Sequence, residues 1–307
     1  MKKMSGIIVA MTTPFNSENK VDISALAQTT DMLVNKGVDC LFPGGTTSEM
    51  LRLSLDERKV VAETVIDTVN KRLPVFMQVG ATTTEETISL AQHAYEIGAD
   101  GIGLLTPYFF ATTEEEMVTY FTDVAQSLPN DFPIYLYSIP QYSANIISVE
   151  VIKRVISCCP NVVGIKFSLA DMDTTLDYIN ISADFSVVHG YDKMALGLLT
   201  AGCDGIVSGC ACSIPEPLVN VYNAYKKGDL ILAEKWQKVA TELSEILLSG
   251  ANLAYFKAAS YFVGQSGGHM RKPLLDLTIE ERESLFKHLA NLCQAAGIEI
   301  NNQLEGV

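Results

Sequence analysis

Lys166 lies near the end of an otherwise apolar run, Val162-Val163-Gly164-Ile165-Lys166-Phe167. An ammonium is costly to bury. Two readings compete: the stem lies on apolar surface while the head reaches water, or desolvation lowers the pKa so that a neutral amine can attack a carbonyl. A second apolar run ends Tyr135-Leu136-Tyr137-Ser138-Ile139-Pro140. Alternation along a strand puts Tyr135 and Tyr137 on one face. A phenol beside a carbinolamine can carry protons; a packed tyrosine with one hydrogen bond is the competing reading. The segment Gly44-Gly45-Thr46-Thr47-Ser48-Glu49 offers N–H groups and hydroxyls that can hold a carboxylate, or it is a plain polar turn. In His189-Gly190-Tyr191-Asp192-Lys193, Asp192 can bind hydroxyls or cap a helix. His189 at the same strand end contacts a substrate or is merely hydrogen-bonded.

These residues need elements to hold them. Short Val/Ile/Leu runs at residues 7–11, 40–42, 74–79, 101–105, 133–137, 162–167, 186–188 and 205–207 read as strands. Their continuous apolar character fits parallel strands covered on both faces. Between them lie helical stretches at 24–35, 54–69, 83–97, 114–126, 148–157, 170–179 and one ending at 199. Three more follow, at 215–226, 230–263 with a break at Ser249-Gly250, and 279–296. Ser54 with Glu57 has the spacing of a capping box, and Thr83, Thr113 and Ser148 are expected N-caps. The joints Gly37-Val38-Asp39, Gly98-Ala99-Asp100 and Gly202-Cys203-Asp204 repeat one pattern: a glycine ends a helix and an acid precedes a strand. Eight strands alternating with helices predict an α/β chain folded as a (β/α)8 barrel over residues 1–227, with a C-terminal helical extension over 228–307. An open doubly wound sheet would call for a Gly-x-Gly-x-x-Gly turn after the first strand, and none is there.

The chain of 307 residues is 48% hydrophobic and carries a net charge of -14. That acidity disfavours nucleic acid and anionic lipid as partners, and no apolar run approaches membrane-spanning length. The run at 7–11 is too short for a signal-peptide core. The seven cysteines include no Cys-x-x-Cys. They read as reduced, buried thiols, which points to the cytoplasm. Cys210-Ala211-Cys212 is the one pair whose spacing admits a metal or redox reading, without a His or Cys set nearby to complete it.

Taken together and in order, seven segments resemble the dihydrodipicolinate synthase / N-acetylneuraminate lyase family of class I aldolases. They are Ala10-Met11-Thr12-Thr13-Pro14-Phe15, Gly45-Thr46-Thr47-Ser48-Glu49, Thr106-Pro107-Tyr108, Tyr137-Ser138-Ile139-Pro140, Gly164-Ile165-Lys166, Gly190-Tyr191-Asp192 and Arg271-Lys272-Pro273-Leu274. The resemblance implies that Lys166 forms a Schiff base with pyruvate or a similar 2-oxo acid and that Tyr137 is the acid/base phenol. Thr46 and Thr47, with backbone N–H groups around Gly45, would bind the pyruvate carboxylate, and Thr46 would relay protons to Tyr137. Gly190 and Val207 would line the pyruvate pocket, with Asp192, Tyr142 and Tyr108 as further substrate contacts. It implies no metal and no organic cofactor, an aldehyde as second reactant, and a homotetramer built as a dimer of dimers.

Departures from the family pattern bear on the substrate. Tyr142 stands where dihydrodipicolinate synthases place a carboxylate-gripping arginine, and a neutral phenol cannot make that charge-assisted fork. Phe109 stands where the family has a second relay tyrosine, and Lys193 where the sialic-acid branch has Glu. A 2-keto-3-deoxy sugar-acid aldolase or related dehydratase is the expected class. Dihydrodipicolinate synthase, N-acetylneuraminate lyase and a non-catalytic pyruvate-binding protein remain alternatives. Gly205-Ile206-Val207-Ser208-Gly209 after the last strand leaves a phosphate-binding barrel as a further reading.

Overall fold

A computed structural model describes residues 1–300, so the last part of the expected extension, 301–307, lies outside the described residues. Eight strands, β1 (Gly6–Ala10), β2 (Cys40–Phe42), β3 (Phe76–Gln78), β4 (Gly101–Leu105), β5 (Ile134–Ser138), β6 (Val162–Phe167), β7 (Ser186–His189) and β8 (Gly205–Ser208), form one parallel sheet. Its order is β2-β1-β8-β7-β6-β5-β4-β3. The outer strands then meet: Leu41 bridges Val75, the Leu41 N–H donates to the Pro74 carbonyl at 3.1 Å, and the Gln78 N–H donates to the Pro43 carbonyl at 3.1 Å. The sheet therefore closes as the expected (β/α)8 barrel.

The connecting helices are α1 (Ile23–Asn35), α2 (Leu55–Val69), α3 (Thr84–Glu96), α4 (Glu114–Gln126), α5 (Pro140–Ser143), α6 (Val149–Cys158), α7 (Met172–Ile179) and α8 (Ala195–Ala201). After β8 come α9 (Glu216–Lys226), α10 (Leu230–Ile246), α11 (Leu253–Phe262) and α12 (Ile279–Ala296). Ser54, Thr83 and Thr113 close capping boxes on α2, α3 and α4, and Ser148 accepts from the Val151 N–H to cap α6. The repeated joints have a physical cause. Gly37, Gly98 and Gly202 take φ of 76°, 82° and 114°, which end their helices. Asp39 then accepts the Ile7 N–H at 2.8 Å and Asp100 the Val75 N–H at 2.9 Å, tying each new strand to its neighbour.

Boundaries differ where local bonds win over apolar pattern. The Asp171 side chain accepts the Thr174 N–H, so α7 starts at Met172 rather than 170. The stretch after β7 is a 3-10 turn, Asp192–Met194, before α8. The long helical stretch at 230–263 divides at the expected break, where Ser249 adopts φ 50°. The short helix α5 was not expected from the sequence; Pro140 opens it with a φ already suited to a first turn.

Inside the barrel, Ile8, Ala10, Cys40, Phe42, Phe76, Tyr135, Val188 and Val207 pack together. Glycines on β4 make room for the rings: a Cβ on Gly103 would stand 2.4 Å from Phe42, and one on Gly101 2.4 Å from Phe76. Tyr135 closes the floor, where its hydroxyl accepts the Met4 N–H at 2.9 Å and donates to Ser186 at 2.8 Å. A second apolar cluster joins α10, α11 and α12 through Leu243, Leu247, Phe256, Phe262, Leu285 and Leu289. Among the described residues no helix is long and apolar enough to cross a membrane.

Candidate active site

Phe42 of β2 and Tyr137 of β5 reach into the barrel from non-adjacent strands and meet edge to face, ring centroids 6.1 Å apart. Lys166 is the cross-strand partner of Tyr137. Its Nζ lies 3.9 Å from the Tyr137 ring centroid and 4.3 Å from that of Phe42, with the residue only 4% exposed. The two ring faces favour a cation, but burial outweighs them and pushes the amine down to about 7. Of the two sequence readings for this lysine, the buried one holds. Snorkelling fails because β6 carries the side chain inward, above Phe42, and not outward to water.

Tyr137 is 2% exposed. Burial raises its phenol above the usual value, while hydrogen bonds from Thr46 and Ser168 oppose the shift. The Thr46 Oγ1 to Tyr137 Oη distance is 3.4 Å. Thr46 belongs to the turn after β2, where the Ser48 and Met50 N–H groups both reach the Gly45 carbonyl and the Glu49 N–H reaches the Thr46 carbonyl. The Ser48 hydroxyl accepts from Gly44 N–H and donates to the Met11 carbonyl, fixing the turn to the end of β1. Among the described residues the N–H groups of Thr46 and Thr47 have no protein acceptor.

A cavity of about 340 Å³ opens over this group. Thr46, Thr47, Tyr137, Tyr142, Lys166, Gly190, Asp192 and Val207 all line it, as do Gln141, Ser168, Cys210 and Ser244. Gly45 and Tyr108 do not. Gly45 is folded into the turn against Phe42. Tyr108 lines an adjoining cavity of about 850 Å³, its hydroxyl 3.3 Å from that of Thr82. The larger space shares Thr46, Ile139, Tyr142, Gly250 and Leu253 with the smaller one. Phe109 is 81% exposed at φ 76° and stacks edge-on against Phe110.

Asp192 does not cap a helix. It is the first residue of the 3-10 turn, its Oδ2 accepts from the Ser208 hydroxyl at 2.8 Å, and Gln237 holds its carbonyl at 3.0 Å. Burial raises its carboxyl above the usual range. His189 faces away from the cavity: on β7 the inward residue is Val188, and His189 packs against Phe167 between the barrel and its helices. Burial pushes its imidazole down to about 4. Cys210 and Cys212 are buried thiols; Cys212 accepts the Thr12 N–H at 3.4 Å.

Sequence reasoning missed Ser168, Ser208 and Gln141. Ser168 was detectable, because it lies two residues beyond Lys166 and keeps its strand parity. A Cβ on Gly190 would sit 2.2 Å from the Ser168 hydroxyl, so the glycine leaves that group its place. Also missed was a buried ion pair between Glu49 and Lys257, 2.6 Å apart.

Residues 3–292 match the dihydrodipicolinate synthetase family. A DapA-like lyase of Pyrococcus horikoshii is 36% identical over 293 residues, covering 94% of this chain and 99% of the relative. A probable 2-dehydro-3-deoxy-D-pentonate aldolase of Escherichia coli, YjhH, is 34% identical over 250 residues, 80% of this chain and 82% of its own. Among solved structures, the prophage protein YagE of E. coli, crystallised with pyruvate, superposes with a TM-score of 0.89 at 29% identity, covering 95% of this chain and 99% of that one. A barrel mouth carrying an inward lysine, a phenol and a threonine turn is thus matched along almost the whole sequence, and the chain belongs to the dihydrodipicolinate synthetase family of lyases and aldolases.

Proposed function

We propose that this protein is a pyruvate-dependent aldolase of 2-keto-3-deoxy sugar acids, with Lys166 as the Schiff-base residue. The observation that carries the proposal is the Lys166 amine, shielded by two aromatic rings and lowered to about 7. At neutral pH a large fraction is then the free amine that can add to a ketone.

In the cleavage direction the amine adds to the C2 carbonyl of the substrate, and the carbinolamine loses water to give a protonated imine. Tyr137, left as the phenolate once it has protonated the departing carbinolamine hydroxyl, takes the proton of the C4 hydroxyl. The C3–C4 bond breaks, its electron pair passes into the imine to form an enamine, and the C4 fragment leaves as an aldehyde. Protonation at C3 and hydrolysis release pyruvate and restore the lysine. The Thr46 hydroxyl stands within reach of Tyr137 to carry its proton. The free Thr46 and Thr47 N–H groups suit the substrate carboxylate.

The aldehyde half is expected to be neutral and hydroxylated. Among the described residues Lys166 is the only cation lining the smaller cavity, and Arg52 lines the larger one. Tyr142 is 61% exposed at the shared rim and offers no charge to a second carboxylate. Gln141, Ser168, Asp192 and Ser244 supply donors and acceptors for hydroxyls. Lys193 is drawn away to Glu245 at 3.1 Å. The relative YjhH, named as a probable 2-dehydro-3-deoxy-D-pentonate aldolase, falls in this class. A homotetramer and a cytoplasmic location belong to the same proposal; the seven free cysteines support the latter. So does the division into a barrel over 1–227 and an extension over 228–307, supported by the separate apolar cluster of α10 to α12.

The test is reduction with borohydride in the presence of pyruvate, followed by peptide mass mapping. A stable adduct on Lys166 is expected, together with aldol turnover of pyruvate with glyceraldehyde or glycolaldehyde in preference to aspartate semialdehyde and N-acetylmannosamine. An unmodified chain overturns the proposal.

A further inference from the structure

We infer that Glu49 and Lys257 are positioning residues, through which the C-terminal extension holds the carboxylate-binding turn of the site; the inference rests on the Schiff-base reading above. Glu49 ends the Thr46-Thr47 turn in a left-handed conformation, φ 58°, that a side chain rarely adopts unaided. Its carboxylate is fully buried and faces the Lys257 ammonium of α11, itself 3% exposed, at 2.6 Å. The second carboxylate oxygen accepts the Arg271 N–H at 3.2 Å, and Lys257 donates to the His269 carbonyl at 2.6 Å.

Around this pair the cations are stacked. Lys257 Nζ lies 4.3 Å from the Phe15 ring centroid and the Arg271 guanidinium 4.1 Å from it. Arg271 in turn grips both oxygens of Glu57 at 2.6 and 2.7 Å. The loop after β1, the turn after β2, the start of α2 and the extension thus meet at one charged centre.

Removing both charges in favour of apolar side chains often leaves a protein as stable or more so, so a buried pair is weak evidence for stability. What this pair does fix is orientation. With the Glu49 carboxylate anchored on α11, its backbone stays left-handed and its N–H stays on the Thr46 carbonyl. That leaves the Thr46 and Thr47 N–H groups free at the cavity wall, for the carboxylate of a 2-oxo acid.

The experiment compares wild type with Lys257→Met, Lys257→Arg and the double variant Glu49→Met/Lys257→Met. Readouts are KM for pyruvate, kcat, and the fraction of Lys166 trapped by borohydride at saturating pyruvate. Loss of two oriented hydrogen bonds to a carboxylate is expected to raise the pyruvate KM about 10- to 100-fold. The saturated trapped fraction and the KM for the aldehyde are expected to hold. Lys257→Arg should recover most of the loss. The double variant should melt no lower than wild type yet keep the raised pyruvate KM, which separates orientation from stability even where Lys257→Met alone fails to fold. A double variant with wild-type pyruvate KM overturns the inference. No trapping in wild type defeats the Schiff-base reading instead.

Discussion

Replacing Lys166 with Met should stabilise the protein by an amount that depends on pH, and the dependence reports the state of the amine. The folded amine titrates near 7 and the unfolded one at its ordinary 10.5. Between those values the unfolded chain binds a proton that the folded chain does not, so the stability contributed by this group rises with pH. At low pH the full gap acts against folding, about 5 kcal/mol. At pH 9 the folded amine is already neutral and the remaining penalty is about 2 kcal/mol. The gain from Lys166→Met should therefore shrink by about 2 kcal/mol between pH 7 and pH 9. Subtracting wild type from variant cancels every other titrating group, and the apolar contribution of Met does not change with pH. Urea unfolding at the two pH values, without pyruvate, reads the difference directly. A gain that stays constant over this interval would mean an amine with an ordinary pKa, solvated in the folded state, and the nucleophile argument would fail with it.

Tyr137→Phe removes the proton carrier and leaves the ring against Lys166, so borohydride trapping should persist while aldol turnover falls about 10²–10⁴-fold; unchanged turnover in a coupled pyruvate assay refutes the role. Gly103→Ala would push a methyl into the Phe42 ring at 2.4 Å. Overpacking there should cost about 1–3 kcal/mol in a urea melt, and a variant as stable as wild type would show that Phe42 is not held where it shields the lysine.

The barrel could be read from the chain because its causes are local. Apolar runs, Ser and Thr caps with a Glu three residues on, and a glycine before an acid each act within one joint, and all recur where the bonds form. Strand parity carried the site equally well: Tyr135 and Tyr137 do share the inner face, one on the floor and one at the mouth. Parity also contained two facts that went unread. His189 alternates with the inward Val188, which removes it from the cavity. Ser168 keeps step with Lys166, which puts it there. The start of α7 and the 3-10 turn at Asp192 depend on side-chain bonds that hydropathy does not encode.

What the sequence hides is contact between residues far apart in the chain. Lys257 stands in an apolar stretch of α11, Leu253-Ala254-Tyr255-Phe256-Lys257-Ala258-Ala259, yet nothing in the sequence names Glu49 as its partner until the fold brings the two together. The same holds for Asp192, whose capping and ligand-binding readings are indistinguishable until Ser208 is found 2.8 Å away. Costly apolar neighbours in the chain can mark a charge as buried, as around Lys166 and Lys257, but they do not say which distant residue compensates it. Lys166 is flanked by strand residues that must be buried, so its ammonium stood out. Glu49 follows a glycine turn that could equally face water, so its burial had to come from the extension folding back over it. On the proposed reading the barrel supplies the nucleophile, and the segment beyond it fixes the turn that would receive the substrate's carboxylate. Chemistry set by strand parity is visible early, while the positioning that makes it selective depends on chain closure.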